Sequence, residues 1–295
     1  MKQITAQLLI NTGSRKSQKA EKSIILALAA NNIIIGKKRL LEPGGDMQNL
    51  CQNIIADKPE LVIVAGGDGT VSHVLGCFAG SGIEIGIIPL GTTNNFARSL
   101  DMPLTIDGAA ATIAANKAYA VDLGKVDGKR FANVIGVGLS ALIAQHVTDT
   151  AKRRFGRFAY AIAGLQQLMK HRAFIATIHD KDDEIAFTFE THQIIIANGR
   201  FHAGKQIAAD AQVDNRELLI FALGGRSWLS FAWHTLDFYI GKRRKVVHSS
   251  YVIGNNVRLE TSIQQVVEID GETVLKTPLS VSVDPKAVLI RYDHE

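Results

Sequence analysis

Two glycine-rich turns and one acidic pair carry the reactive and ligand-binding side chains of this sequence. Ala65-Gly66-Gly67-Asp68-Gly69-Thr70 follows the apolar run Leu61 to Val64 and precedes a helical stretch. Glycines there permit unusual backbone angles and let a ligand approach the chain closely. Thr70 can cap the helix, and the helix N-terminus with its free N–H groups makes an anion site. A carboxylate repels phosphate unless a cation lies between them, and Mg2+ prefers carboxylate and phosphate oxygens. Asp68 thus suits a phosphate held through Mg2+; the plain alternative is a strand-to-helix turn with a surface Asp. Ile87-Ile88-Pro89-Leu90 ends another strand, and Gly91-Thr92-Thr93-Asn94-Asn95-Phe96-Ala97-Arg98 follows. Thr92 and the amides can bind phosphate or cap the next helix, and Arg98 either reaches an anion or lies on a solvated face. Both turns fall at the carboxyl ends of strands, where ligands of open α/β sheets bind. Asp270-Gly271-Glu272 joins two strand-like runs. Read from the residues alone, Asp-Gly is a common hairpin turn that would leave Glu272 solvated.

The elements that must position these residues come in two textures. Up to about residue 120, strands (Gln7 to Ile10, Leu61 to Ala65, Ile83 to Ile88) alternate with helices (Ser17 to Ala30, Thr70 to Ala79). That order predicts a mostly parallel sheet covered by helices on both faces. Beyond it, short strands crowd together. Val121 to Val126 and Arg130 to Ile135 flank Asp127-Gly128, and Ala173 to His179 and Ile185 to Glu190 flank an Asp-rich turn. Gln193 to Ala197, Leu218 to Ala222, Val246 to Ile253, Val257 to Glu260, Val266 to Ile269 and Val281 to Val283 follow. This predicts an antiparallel sandwich, interrupted by helices at Arg157 to Lys170 and Trp228 to Ile240. The fold class expected is therefore α/β: an N-terminal, mostly parallel three-layer domain plus a C-terminal antiparallel β-sandwich domain. The boundary falls at 1–125 and 126–295, with the last few residues free to return to the first domain.

Composition narrows the class. The 295 residues are 46% hydrophobic and 21% charged, which excludes a disordered chain. The longest uninterrupted apolar run, Ile24 to Ala30, is far short of a bilayer span, and Met1 to Ile10 does not read as a secretory signal. Cys51 and Cys77 make no disulfide framework, and nothing in their spacing asks them to pair. A cytoplasmic location follows as the expectation. The net charge of +5 suits phosphate-bearing ligands or an anionic membrane surface.

Gly66 to Thr70 together with Pro89 to Arg98 resembles the diacylglycerol kinase catalytic domain, and more narrowly the soluble bacterial lipid kinases of that superfamily. The first motif is shared with NAD kinases; the second discriminates against them. Asp122-Leu123-Gly124, Phe131-Ala132-Asn133, Gly136-Val137-Gly138, Asn198-Gly199 and Asp270-Gly271-Glu272 occur in the family's order, so the resemblance runs the full length. It implies an ATP- and Mg2+-dependent lipid kinase of phospholipid metabolism, its active site between the two domains, acting on a hydroxyl of a diacylglycerol-like or other glycerolipid acceptor. ATP would be held by Gly66, Gly67, Asp68, Gly69, Thr70, Thr92 and Asn95, with Leu41 at a further nucleotide-contacting position. Glu272 would accept the alcohol proton, with Asp270 the runner-up or a partner of Asp68 in the Mg2+ and water network. An NAD kinase-like enzyme and a silent nucleotide- or lipid-binding relative are the alternatives.

The departures from the family's pattern are specific. Val71-Ser72-His73 stands where Val-Asn-Glu is common, and Asn94-Asn95-Phe96 replaces Asn-Asp-Phe, which removes a charge. A family metal loop matches Gln212 to Glu217, where Asn215 replaces a carboxylate and Arg216 a glycine. Gln212, Asn215 and Glu217 could still offer oxygens, but the loss of charge weakens a hard-metal site. A lipid substrate requires peripheral membrane binding. The aromatic stretch Trp228 to Ile240 with Lys242 to Lys245, and Lys152 to Arg157, are the segments that could supply it. Their alternative is a helix packed on the sandwich. Neither basic cluster sits in a nucleic-acid-reading module, and a homodimer remains open.

Overall fold

The computed structural model describes residues 3–13, 15–42, 44–115, 117–146, 171–202, 204–207, 212–224, 233, 247–253 and 256–293. The N-terminal part runs β1 (Ile4–Asn11), α1 (Arg15–Ala30), β2 (Ile33–Leu41), α2 (Met47–Ala56), β3 (Leu61–Gly66), α3 (Asp68–Phe78), β4 (Glu84–Pro89), α4 (Asn95–Ser99) and α5 (Ile106–Ala115). There follow β5 (Ala118–Val126), β6 (Lys129–Phe131), β7 (Val134–Gly138), α6 (Leu139–His146), β8 (Phe174–His179), β9 (Ile185–Thr191), β10 (Gln193–Ala197), β11 (Phe201–His202) and β12 (Lys205–Gln206). The chain ends with β13 (Leu218–Leu223), β14 (Val247–Ile253), β15 (Val257–Thr261), β16 (Val266–Ile269), β17 (Glu272–Lys276) and β18 (Leu279–Arg291).

Strands β1 to β4 pair in parallel, in the order β2-β1-β3-β4. All six residues of β3 are buried, which explains its unbroken apolar run. Side chains alternate between two cores. Leu9, Val62, Val64, Ile85 and Ile87 meet α2 and α3, while Leu8, Ile10, Ile63 and Ala65 meet α1 and α5. The 13-residue strand β18 lies beside β4 in parallel and carries β5 and β15 antiparallel, so one sheet grows to ten strands. A separate six-stranded antiparallel sheet, β14-β13-β10-β7-β16-β17, belongs to the C-terminal half. Its Ile135, Val137, Ile194, Ile196 and Val267 pack against Val126, Phe174, Ile178, Leu259 and Val281 of the larger sheet. The architecture is thus α/β with a parallel N-terminal sheet and a C-terminal antiparallel sandwich.

Three readings need correction. Arg130 to Ile135 is not one strand: β6 and β7 lie in different sheets, because the amides of Ala132, Asn133 and Val134 go to a carboxylate instead of a ladder. Val281 to Val283 is only the middle of β18. The helices α2 and α5 and the strand β2 are further elements, with periodic signals too weak to show in the sequence. The predicted helix Arg157 to Lys170 and the basic clusters Lys152 to Arg157 and Lys242 to Lys245 lie outside the described residues. So does the predicted helix Trp228 to Ile240, apart from an exposed, helical Trp233.

Candidate active site

Strand β3 ends at Gly66, and α3 begins two residues later with Gly67 as its N-cap. No side chain caps this helix, so its first-turn amides keep the open donors every helix start has. Thr70 does not supply the expected cap. Its hydroxyl instead accepts from Asn11 Nδ2 at 2.7 Å, which ties α3 to the end of β1. A Cβ on Gly66 would stand 2.7 Å from that of Thr70. Gly69 is different: a Cβ there would meet nothing within 4 Å and its φ is not positive. Neither packing nor backbone angle requires glycine at Gly69, in a helical turn where glycine is unfavourable. A bare backbone facing open space at a helix N-terminus fits an anion that approaches the chain directly.

Asp68 joins this turn to the next. Its Oδ2 accepts from the Thr93 hydroxyl at 2.7 Å, and its Oδ1 accepts from the Phe96 amide at 3.2 Å. It thereby caps α4 from outside, where the helix's own N-cap, Asn94, provides no side-chain bond and sits in the left-handed region at φ 49°. The turns touch backbone to backbone: a Cβ on Gly91 would lie 2.8 Å from Gly67 Cα. Thr92 is exposed at the tip. Arg98 does not reach out for an anion; its Nε donates to the Thr93 carbonyl at 2.8 Å. Asn95 is buried, and its Oδ1 accepts from Gly204 N at 2.8 Å. That oxygen fastens the β11–β12 hairpin and is not aimed at a metal-bound water. Leu41 also departs from expectation. Its side chain joins the core with Met47 and Cys51, and its carbonyl accepts from both the amide and the hydroxyl of Thr12 at 2.9 Å.

Asp270 of the acidic pair meets α3 one turn further on. Asp270 and Gly271, at φ 48° and 92°, form the two-residue turn between β16 and β17, with Ile269 paired to Glu272. The hairpin reading and an inward Asp270 hold together. Its Oδ1 accepts from the amides of Asn133 and Val134 at 3.0 and 2.8 Å. Its Oδ2 accepts from the Ala132 amide at 2.9 Å and from the Ser72 hydroxyl. Two oxygens offer about four acceptor positions, and all are taken, so Asp270 has none left for an alcohol proton. Burial pushes this carboxyl up, while the Ser72 hydroxyl and the three amides, all donating to its charged form, oppose the shift. The backbone of Glu272 opens β17; its side chain lies outside the described residues.

Between these parts runs a cleft of about 530 Å3. One wall is the face of α3 that carries Gly69, Ser72, His73, Gly76 and Cys77; the other holds Lys129, Arg130 and Asp270. Ser72, His73 and Lys129 were not singled out as site residues. Ser72 and His73 were visible only as departures from a motif, and Lys129 only as part of a hairpin. Arg130 is held by Asp284 at 2.5 Å.

Among the described residues, no group of three or more His, Cys, Asp or Glu side chains gathers to hold a metal. The Gln212 to Glu217 loop does not fit one: Asn215 Nδ2 donates to Glu217 Oε2 at 3.0 Å, and Glu217 N donates back to Asn215 Oδ1 at 3.1 Å. The Asn215 side chain is turned to Glu217 and not to a shared centre, and the Arg216 amide is turned to Asp122 Oδ2 at 2.7 Å. Asp68 fits better. A Mg2+ that arrives with phosphates needs only one or two carboxylates and keeps its waters, and each Asp68 oxygen retains a lone pair.

Fold and site define an α/β protein in which a glycine-rich strand-to-helix turn faces a cleft between α3 and the β16–β17 hairpin. Residues 5–126 match the diacylglycerol kinase catalytic domain, and residues 133–291 match the YegS C-terminal NAD kinase beta sandwich-like domain. The chain belongs to the family that joins these two domains, the diacylglycerol kinase catalytic-domain family of bacterial lipid-kinase type. It is 26% identical to a Staphylococcus carnosus (strain TM300) protein named "Putative lipid kinase", across 86% of this chain and 85% of that protein. It is 28% identical to a protein of the same description from Staphylococcus haemolyticus (strain JCSC1435), across 85% and 84%. A crystal structure of a "putative diacylglycerol kinase" from Bacillus anthracis str. Sterne superposes with a TM-score of 0.76 at 25% identity, covering 99% of this chain and 98% of that one. Membership in a kinase family makes a nucleotide the expected phosphoryl donor, and no helix among the described residues is long and apolar enough to cross a membrane.

Proposed function

We propose that the protein transfers the γ-phosphoryl group of Mg2+-bound ATP to a hydroxyl of a diacylglycerol-like glycerolipid. The observation that carries this reading is the bond from Ser72 to Asp270. It brings the acidic hairpin within one turn of Gly69 along α3, about 5 Å of helix rise. Gly69 and Asp270 line the same cleft, which supports placing the phosphates and the acidic hairpin together. The open amides of α3 hold and orient the transferring phosphates, and Asp68 fixes the two turns relative to each other before any ligand arrives. Mg2+, when bound beside Asp68, neutralises the charge that develops on those phosphates. Asp270, saturated with donors, is a positioning residue. Glu272, the remaining member of the pair, takes the alcohol proton.

Transfer of labelled γ-phosphate to diacylglycerol, monoacylglycerol, phosphatidylglycerol, a sphingoid base and NAD, with the lipids in mixed micelles, tests the reading. A labelled glycerolipid is expected, lost at least 100-fold in Glu272→Gln while ATP binding is kept. Labelled NADP in its place would make the protein an NAD kinase. Near-normal turnover in Glu272→Gln would remove Glu272 as the base.

A further inference from the structure

The fold joins two cysteines that the sequence leaves apart. Helices α2 and α3 pack side by side on one face of the parallel sheet. Cys51 is on the buried face of α2 with Met47 and Ile54, fully out of solvent. Cys77, in the last turn of α3, is half-buried and forms part of the cleft wall with Gln48 and His73. Its Sγ is 3.0 Å from Gln48 Oε1; Cys51 lies one turn along α2 from Gln48, and Cys77 packs against the core cluster that holds Cys51. His73 precedes Cys77 by one helical turn, the spacing at which helix side chains meet.

We infer that Cys77 is a redox modification site, oxidised by a small hydroperoxide that enters the cleft, with Cys51 as the internal thiol that resolves it to a disulfide. In the first step Cys77 Sγ attacks the terminal peroxide oxygen. An S–O bond forms, the O–O bond breaks, and the leaving oxygen departs as alcohol or water with the thiol's proton. In the second step Cys51 Sγ attacks Cys77 Sγ. An S–S bond forms, the S–O bond breaks, and the hydroxyl leaves as water with the Cys51 proton. Two thiols are oxidised by two electrons and one hydroperoxide is reduced.

The surroundings suit this division of labour. The neighbouring Cys51 holds the Cys77 thiol below the ordinary thiol range; burial opposes this and the His73 ring reinforces it. The neighbouring Cys77, with burial, pushes Cys51 up and keeps it a protonated thiol. When Cys77 ionises, the Gln48 amide can turn over and present its N–H2 to the sulfur. Only Cys77 meets the cleft, so the oxidant reaches the sulfur that is nucleophilic, and the buried one is spared further oxidation. None of this depends on the phosphoryl acceptor.

The test treats the full chain with about one equivalent of hydrogen peroxide and counts thiols with peptide mass mapping. Both thiols should disappear together, one cross-link should join the Cys51 and Cys77 peptides, and dithiothreitol should restore them. Cys51→Ser should stop at a Cys77 sulfenic acid that dimedone traps, whereas Cys77→Ser should keep a free Cys51. His73→Asn should slow alkylation of Cys77 by about threefold to tenfold. Two free thiols after peroxide, disulfides only between molecules, or loss of Cys51 in Cys77→Ser at the wild-type rate would each overturn the inference. The wild-type cross-link map needs no variant and decides even where a serine substitution unfolds the chain.

Discussion

Gly69 separates the needs of folding from the needs of the ligand. A methyl group at this position has open space around it, and alanine is the better helix former by up to about 1 kcal/mol. Gly69→Ala should therefore leave urea stability unchanged or raise it slightly. It should weaken ATP binding at least tenfold, since the added methyl stands where the phosphates approach. Isothermal titration beside a denaturation curve distinguishes the two effects. Glu268 gives a second residue-scale expectation. It is buried on β16, facing Gly136, so closely that a Cβ there would lie 2.5 Å from Glu268 Oε1. Burial pushes its carboxyl up; the nearby Ser140 hydroxyl opposes this and the charge of Asp270 adds to it. The folded chain thus holds this proton where the unfolded chain has released it. Stability should fall as pH rises from the ordinary glutamate range through the raised value. Glu268→Gln should remove that fall, so that wild type and variant diverge in urea curves taken at rising pH above the ordinary glutamate range.

At the scale of elements, the two glycine turns act as one piece. A Cβ on Gly91 would lie 2.7 Å from Asn94 Oδ1 and 2.8 Å from Gly67 Cα, and the second contact is backbone, which cannot rotate aside. Gly91→Ala should separate the turns, stretch the Asp68 bonds to Thr93 and Phe96, and destabilise by about 1–3 kcal/mol. A lowered Tm together with lost nucleotide protection would report it. The elements themselves were legible to different degrees. β3 and the start of α3 could be read because an unbroken apolar run and a glycine turn are local signals. The Asp127-Gly128 turn was equally plain, with φ 44° and 84° as a tight hairpin requires. Its second strand was overextended because Ala132 and Asn133 owe their conformation to Asp270, more than a hundred residues away, and no local pattern records that bond.

At the scale of the molecule, buried polar ties hold the halves in place around the cleft. Asn198 Nδ2 donates to the carbonyls of Asp122 and Ala132 at 3.0 and 3.1 Å. Asp122 accepts from the Arg216 and Lys286 amides at 2.7 Å each, and the Arg200 amide donates to Ser99 Oγ at 3.0 Å. Asn198→Ala leaves two buried carbonyls without partners. It should cost about 2–4 kcal/mol in urea denaturation, with faster hydrogen exchange at 131–134, where the cleft is assembled.

The sequence by itself determined the class of fold, the two glycine turns and the family, because buried runs, turn residues and motif spacing are local and survive without coordinates. It also supplied the candidate acids. What each acid does was decided only by tertiary structure. Asp270 became a latch and Asp68 an external cap because donors from distant segments converge on them. The same is true of Leu41 turned into the core, Asn215 and Glu217 bonded to each other, and Cys51 brought to Cys77. The physical reason is common to all of them. A side chain's chemistry depends on which of its lone pairs and protons remain unspent after packing, and the residues that spend them lie far away along the chain.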